Sequence, residues 1–414
     1  MTGNHAGKVR KEINEVNASE KLFATVDTHM PLLWELASFL HANPELSCQE
    51  FEAHRHLTAF LHEHGFDIGR GVPNLPTAFV AMPERPASPM VAFIAEYDAL
   101  PDLGHACGHN MIAASAVGAA IAIRETFPEL ANHVMVVGTP SEEVPTDPPV
   151  KQQMLDAGCF EPADVVLMMH GSDRTTTGAG TLAIDHYEFE FHGTPSHASK
   201  YPFLGRSALD GALLTVHALE FLREHVREDV RIHGIVSNGG ARPNIVPEYA
   251  KLEYYVRALD RGYLESIESR VRACAEAGAL ATGTTTTIRR LGSNDNKLLL
   301  SSLDEVLLQD AIAAGAEQVM APEKELGSTD FGNVSHRMPA ATLKVGFVPE
   351  RTSGHTREWT TAAGGERGRK AIAVASKALA ATAVRLMRDS GLLERVQREF
   401  EQEVRRQHEL SVGA

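Results

Sequence analysis

Two short strings in this chain of 414 residues carry the residue types that hydrolytic chemistry needs. His105-Ala106-Cys107-Gly108-His109-Asn110 places a thiol and an imidazole two residues apart beside a glycine. Thr139-Pro140-Ser141-Glu142-Glu143 sets two carboxylates side by side at the end of an apolar run. A metal site draws its ligands from separate segments, and hydrolysis at neutral pH also needs a base that is not a ligand. Adjacent glutamates can divide that labour, one coordinating and the other moving protons. Either string alone reads equally well as a polar loop. Together, with histidines that follow later apolar runs, they favour a metallohydrolase.

The elements that must position these residues show in the hydrophobic pattern. Residues 31–66 carry apolar positions at helical spacing, interrupted at Asn43-Pro44. Met90–Ala95, Val134–Val137 and Val165–Met169 are short apolar runs of buried-strand type, each ending at a candidate functional residue. That alternation predicts an α/β sheet with helices on both faces. Ligands of such sheets gather at the carboxyl ends of strands, where Asp98, Glu142, Glu143 and His170 fall. From about residue 185 the pattern changes. Tyr187–Phe191 alternates strictly, helical stretches run over Ser207–Val226 and Tyr263–Leu280, and strands are predicted at Ile232–Val236, Leu252–Val256 and Thr284–Ile288. The order β-α-β-β-α-β is that of a ferredoxin-like α+β module. It interrupts the first unit, whose pattern resumes near 296 and ends in a helix at about 366–388. The predicted organisation is a discontinuous α/β catalytic domain, 1–184 and 296–414, carrying an inserted domain at 185–295.

Composition narrows the function classes. A net charge of −15 disfavours nucleic acid or an anionic membrane as partner. Residues 1–20 have no apolar stretch of signal-peptide type. The weakly polar run Met111–Ile123 is too short to span a bilayer and reads as a buried helix. The cysteines at 48, 107, 159 and 274 show no paired framework, which points to a cytoplasmic protein with reduced thiols. Nucleophile-elbow, P-loop and His-Glu-x-x-His motifs are absent, and Gly178-Ala179-Gly180 lacks the third glycine of a dinucleotide fingerprint.

These strings, with Asn43-Pro44-Glu45-Leu46, Tyr97-Asp98-Ala99-Leu100-Pro101, Pro195-Ser196-His197-Ala198, Pro243–Pro247, Ser328–Ser335 and His355-Thr356, resemble the M20 metallopeptidases and amidohydrolases over nearly the whole chain. The likeness is to the branch holding aminoacylase-like and p-aminobenzoyl-glutamate hydrolase-like enzymes. It implies two divalent metal ions held by Cys107, His109, Glu143, His170 and His355, with Glu142 as general base. Asp98 suits orienting a ligand histidine, and His105 has no matching role. The mixed donor set suits manganese or zinc, with cobalt or nickel as alternatives, better than magnesium or calcium. The resemblance further implies that the inserted domain is a lid that dimerises. Its His197 would reach across the dimer towards the scissile group's oxygen, and Asn244 and Arg257 would serve oxyanion or carboxylate binding. Arg242 and His336 are weaker candidates.

The leading expectation is therefore hydrolysis of a C–N bond, the amide of an N-acyl or N-aroyl amino acid or a small dipeptide that bears a carboxylate. A second reading is an aminohydrolase that releases ammonia from an activated aromatic amine such as 5-nitroanthranilate. Two departures from the family pattern, Val144–Pro149 in place of a glycine-rich stretch and His336, would reshape the pocket. A third reading is a metal-binding scaffold without turnover.

Overall fold

The computed structural model describes residues 3–412 apart from 70, 145 and 325. Pro145, within the departing segment Val144–Pro149, thus lies outside the described residues. A six-stranded mixed sheet is built from β1 (Asp67–Ile68), β2 (Phe79–Met82), β3 (Val91–Glu96), β4 (Val134–Thr139), β5 (Val165–Ser172) and, late in the chain, β10 (Ala340–Gly346). Its order is β1-β2-β4-β3-β5-β10. The four strands from β4 to β10 run parallel, and β2 and β1 add an antiparallel edge. Every residue of β3 and β4 is buried, as their unbroken apolar runs require of parallel strands covered on both faces.

Helices α1 (Gly3–Ala42), α3 (His109–Thr126) and α10 (Glu366–Arg388) pack against one another. The α3 helix is the alanine-rich run predicted to be buried, and nearly every side chain on it is. Gly118 is the point of closest approach: a Cβ there would meet Leu33 Cδ1 and Ser376 Oγ at 2.7 Å each. Among the described residues, no helix is long and apolar enough to cross a membrane.

The second sheet holds β6 (Ala183–His192), β7 (Arg231–Asn238), β8 (Tyr249–Ala258) and β9 (Thr285–Asn294), all antiparallel, in the order β7-β8-β6-β9. The helices α5 (Ala208–Arg223) and α6 (Arg261–Thr282) separate its strands in sequence and share its core. Strand β8 alternates buried and half-buried positions without a break, so Leu252, Tyr254 and Val256 turn inward with Tyr187, Phe189 and Phe191 of β6. Ser207 Oγ caps α5 by accepting from Asp210 N, and Gly283, at φ +65°, ends α6. Where the chain enters and leaves this sheet, the buried Arg261 guanidinium joins Asp185 at 3.0 Å and Asp295 at 2.7 Å.

The outline departs from expectation in three places. Strand β9 continues to Asn294, well beyond Ile288. His170 lies inside β5 rather than after it. The chain does not end its regular structure at residue 388, because α11 (Ser390–Val412) follows and packs against α6. Arg406 and Gln407 of α11 hold Asp260, just before α6, at 3.2 and 3.0 Å.

Candidate active site

The chemistry-bearing residues arrive from five places. The loop after β3 brings Asp98 and Cys107, the start of α3 brings His109, β4 leads into Glu142 and Glu143, and β5 carries His170. The fifth donor, His355, precedes α9 (Arg357–Ala363). Two backbone positions aim them. Gly108 caps α3 at φ +81°, which lets the chain turn between Cys107 and His109. His355 itself sits at φ +58°, a left-handed conformation that non-glycine residues hold only when the surroundings demand it.

The side chains converge. Cys107 Sγ lies 3.8 Å from His170 Nε2 and 3.5 Å from His355 Nε2. Glu143 lies 3.8 Å from His109 Nε2 and 3.6 Å from His355 Nε2. Three groups each place their donor atoms within 4.8 Å of one another: Cys107–His109–His170, Cys107–Glu143–His355 and His109–Glu142–Glu143. Cys107 and Glu143 each belong to two of these groups, so the cluster is wide enough for more than one ion.

The outer contacts fix which atoms face inward. His109 Nδ1 donates to Asp98 Oδ1 at 2.9 Å, which leaves the Nε2 lone pair for a cation. His170 Nδ1 donates to the Gly171 carbonyl at 2.7 Å with the same result. Asp98 Oδ2 accepts from Ser47 Oγ at 2.8 Å and Glu143 N at 3.0 Å. His109 Nε2 and Glu143 Oε1 are buried with no hydrogen-bond partner, a costly arrangement that a metal ion would relieve. Thiolate, imidazole and carboxylate donors together fit a divalent transition ion. His105 instead spends its Nε2 on the Leu40 carbonyl at 3.1 Å.

Burial and neighbouring charges set the electrostatics of the cluster. Burial pushes the Cys107 thiol up to about 12, so the helix start beside it does not suffice to make a thiolate. Burial and the carboxylates of Glu96, Asp330 and Glu143 push Glu142 up to about 8. Burial lowers His170 to about 4, leaving a neutral imidazole. Asp98 goes the other way: burial opposes its charge, but His109 and the hydrogen bonds just described hold it well below the usual carboxylate range.

Cys107, Glu142, Glu143, His170 and His355 line a cavity of about 560 Å³ between the two sheets, lined also by Tyr255 and Arg257 of β8. Arg257 is half-buried. One of its terminal nitrogens lies 3.4 Å from Ser328 Oγ, and its Nε has no partner. His197 and Asn244 do not line the cavity. Both are exposed, and they sit beside each other, with Ala198 N donating to the Asn244 carbonyl at 3.0 Å. Arg242 is exposed as well.

Sequence reasoning missed the acids and base behind the cluster. Lys151, fully buried on α4 (Val150–Asp156), reaches Glu96 at 2.8 Å and also Asp330. Glu96 in turn comes within 3.7 Å of His109. The buried Glu50 receives the amides of Cys48 and Ser141 at 2.8 and 3.0 Å, pinning the turn that leads into the glutamate pair. The available signal was a charged residue closing an apolar strand, Glu96 after Ala95. Of the two departures from the family pattern, His336 turns its Nε2 to the Asn296 carbonyl at 2.9 Å, and in Val144–Pro149 Asp147 pairs with Arg290 of β9 at 3.1 Å. Neither His336 nor any described residue of that segment lines the cavity.

Comparison with known proteins agrees with this geometry. Residues 92–383 match peptidase family M20/M25/M40. The chain is 35% identical to a Xaa-Arg dipeptidase of Mus musculus, over 94% of this chain and 93% of the relative. It is 29% identical to one subunit of the p-aminobenzoyl-glutamate hydrolase of Escherichia coli, over 89% of this chain and 92% of that relative. A dinuclear metal-binding M20 peptidase of Bacillus subtilis has the same fold, with a TM-score of 0.64 at 21% identity over 87% of this chain and 99% of that one. The chain belongs to peptidase family M20/M25/M40 and is a metal-dependent hydrolase of C–N bonds.

Proposed function

We propose that this enzyme hydrolyses the amide bond of an N-acyl or N-aroyl amino acid, or of a small dipeptide, using two divalent ions. The observation that carries the reading is one cavity shared by the donor cluster, a glutamate beside it and an arginine facing it. Cys107, His109, Glu143, His170 and His355 would hold the ions, with manganese or zinc favoured and cobalt or nickel alternatives for such donors. Bound there, divalent ions supply Lewis acidity and make water a better nucleophile at neutral pH. Glu142, in the same cluster, takes the proton of the attacking water and returns it to the leaving nitrogen. Asp98 keeps His109 in the tautomer that presents Nε2. Arg257 holds the substrate carboxylate through charge-assisted hydrogen bonds. The names of the two relatives, a dipeptidase and an aroyl-glutamate hydrolase, support a small carboxylate-bearing substrate.

In the same reading, residues 185–295 form an inserted, ferredoxin-like lid domain, and 1–184 with 296–414 the catalytic domain. The lid pairs with a second copy of the chain through the β7 edge, where Ile235 is 62% exposed. His197 and Asn244 would then complete the partner's site, stabilising negative charge on the scissile oxygen. The name of the Escherichia coli relative, one subunit of a hydrolase, makes a different partner chain the alternative to a homodimer. A reducing compartment such as the cytoplasm would keep Cys107 a thiol.

The test is a panel of N-acyl amino acids, N-aroyl amino acids, dipeptides and 5-nitroanthranilate offered to chelator-treated protein before and after loading with Mn²⁺ or Zn²⁺. Amide cleavage that requires added metal is the expected result. Ammonia release from the aromatic amine without amide cleavage would instead assign the aminohydrolase reading.

A further inference from the structure

We infer that Lys297 forms a second anion subsite in this cavity and selects substrates that carry a negative charge beyond the carboxylate held by Arg257. The inference rests on the amide-hydrolase reading above and narrows it to N-acyl derivatives of acidic amino acids.

Lys297 stands three residues after β9, where the chain leaves the small sheet, and it lines the same cavity as the metal donors. Its backbone is held by donation from Lys297 N to Thr181 Oγ1 at 2.8 Å. Among the described residues its ammonium makes no hydrogen bond and no ion pair. Burial, reinforced by the charge of Lys344, pushes that ammonium down to about 8. Asp304 is the acid whose charge it feels, yet no carboxylate of the described residues stands within ion-pair distance. Contrast Lys151, which is fully buried and is neutralised by Glu96 and Asp330. A half-buried ammonium without a partner on the wall of a catalytic cavity has an anionic ligand as its natural complement.

The neighbours strengthen the assignment. Lys344 lies opposite His170 in the β5–β10 pairing, so the positive corner adjoins the metal donors. Two residues earlier on the same strand face, Thr342 Oγ1 is buried without a partner and also lines the cavity. Glu323, the acid placed to receive a cationic side chain, is already engaged by Arg174 at 3.3 Å and Lys344 at 3.7 Å. Apart from the glutamate pair at the metal donors, Glu323 is the only acid among the described lining residues. Among the described residues the cavity thus has a free cation and no free acid away from the donor cluster. That charge pattern favours an acidic substrate side chain over the basic one in the Mus musculus relative's name.

The experiment compares N-benzoyl-glutamate with N-benzoyl-glutamine, which differ in one charge, on the metal-loaded enzyme. Wild type should prefer the glutamate compound by about 10- to 100-fold in kcat/KM, the range for a hydrogen bond to a charged group. In Lys297→Met the ratio should fall to within about threefold of one, whereas Lys297→Arg, which keeps the charge, should retain a clear preference. Equilibrium binding of both compounds, measured calorimetrically, accompanies the kinetics, and circular dichroism checks that each variant is folded. If neither amide is cleaved but Lys297→Met selectively weakens glutamate binding, the subsite stands and the hydrolase reading falls. A glutamate-to-glutamine ratio unchanged by Lys297→Met in both assays, or a wild-type preference for the uncharged compound, overturns the subsite. Should Lys297→Met not fold, Lys297→Gln is read by the same ratio.

Discussion

The donor cluster and the His197–Asn244 pair are built on opposite plans. Around the cluster three braces stand behind the donors: Asp98 behind His109, the Gly171 carbonyl behind His170, and Glu50 behind the turn into Glu142. His197 and Asn244 lie exposed, tied mainly by backbone contacts. Bracing fixes a donor before any ligand arrives, which is what metal geometry and proton transfer demand. An exposed pair so loosely held is suited to acting on another surface, and in the proposed assembly that surface is the partner's cavity.

This contrast predicts different modes of failure. Damage behind the cluster should unfold the protein, whereas damage at the exposed face should spare stability and cost turnover. The largest effect is expected for Lys151→Met. It strands Glu96 and Asp330 in the interior without their cation, and loss of one partner from a buried pair costs about 3–5 kcal/mol. Chemical denaturation should report that loss, and a change below about 1 kcal/mol would show the network to be unimportant for stability.

Next comes Ile235→Glu, which places a charge on the exposed β7 edge. If that edge joins two copies, the variant should sediment as a monomer with its melting temperature nearly unchanged. Turnover should then drop about 10²- to 10³-fold, the cost of removing an oxyanion donor. A monomer with full activity would show that each cavity is complete within one chain and dissolve the contrast.

Arg257→Ala sharpens the comparison from inside the cavity. Losing a charge-assisted, bidentate contact should cost roughly 2–4 kcal/mol in kcat/KM. The loss should be much smaller for an analogue whose carboxylate is an amide. Equal losses for both substrates, with a lowered melting temperature, would make Arg257 a structural residue instead.

The convergence of the candidate donors was legible because metal chemistry restricts residue type, and because strand ends place functional groups at one edge of an α/β sheet. Cys107 and His109 around a glycine, or Glu142 and Glu143 after an apolar strand, therefore stand out in one dimension. The order of strands and helices was legible for a similar reason, since hydrophobic period reports which face is buried. Lys151 and Lys297 were not, because a lone lysine in a helix or loop looks solvated until the fold encloses it. The helix α11 escaped because its low apolar content hides a face that becomes meaningful only beside α6. His336 misleads for a converse reason. An unusual residue at a family position draws attention, yet three-dimensional contacts turn this one towards a backbone carbonyl and away from the cavity.

The central claim is that metal ions and a glutamate that does not hold them share the work of amide hydrolysis, and Glu142→Gln tests it most directly. The substitution keeps the size and hydrogen-bonding shape of the side chain while removing the base. Metal content and kcat should be measured on the same protein sample with an amide that wild type cleaves. The account predicts wild-type metal content with kcat lowered about 10²- to 10⁴-fold, the usual contribution of a general base. Wild-type metal content with kcat within a few-fold of wild type would contradict it.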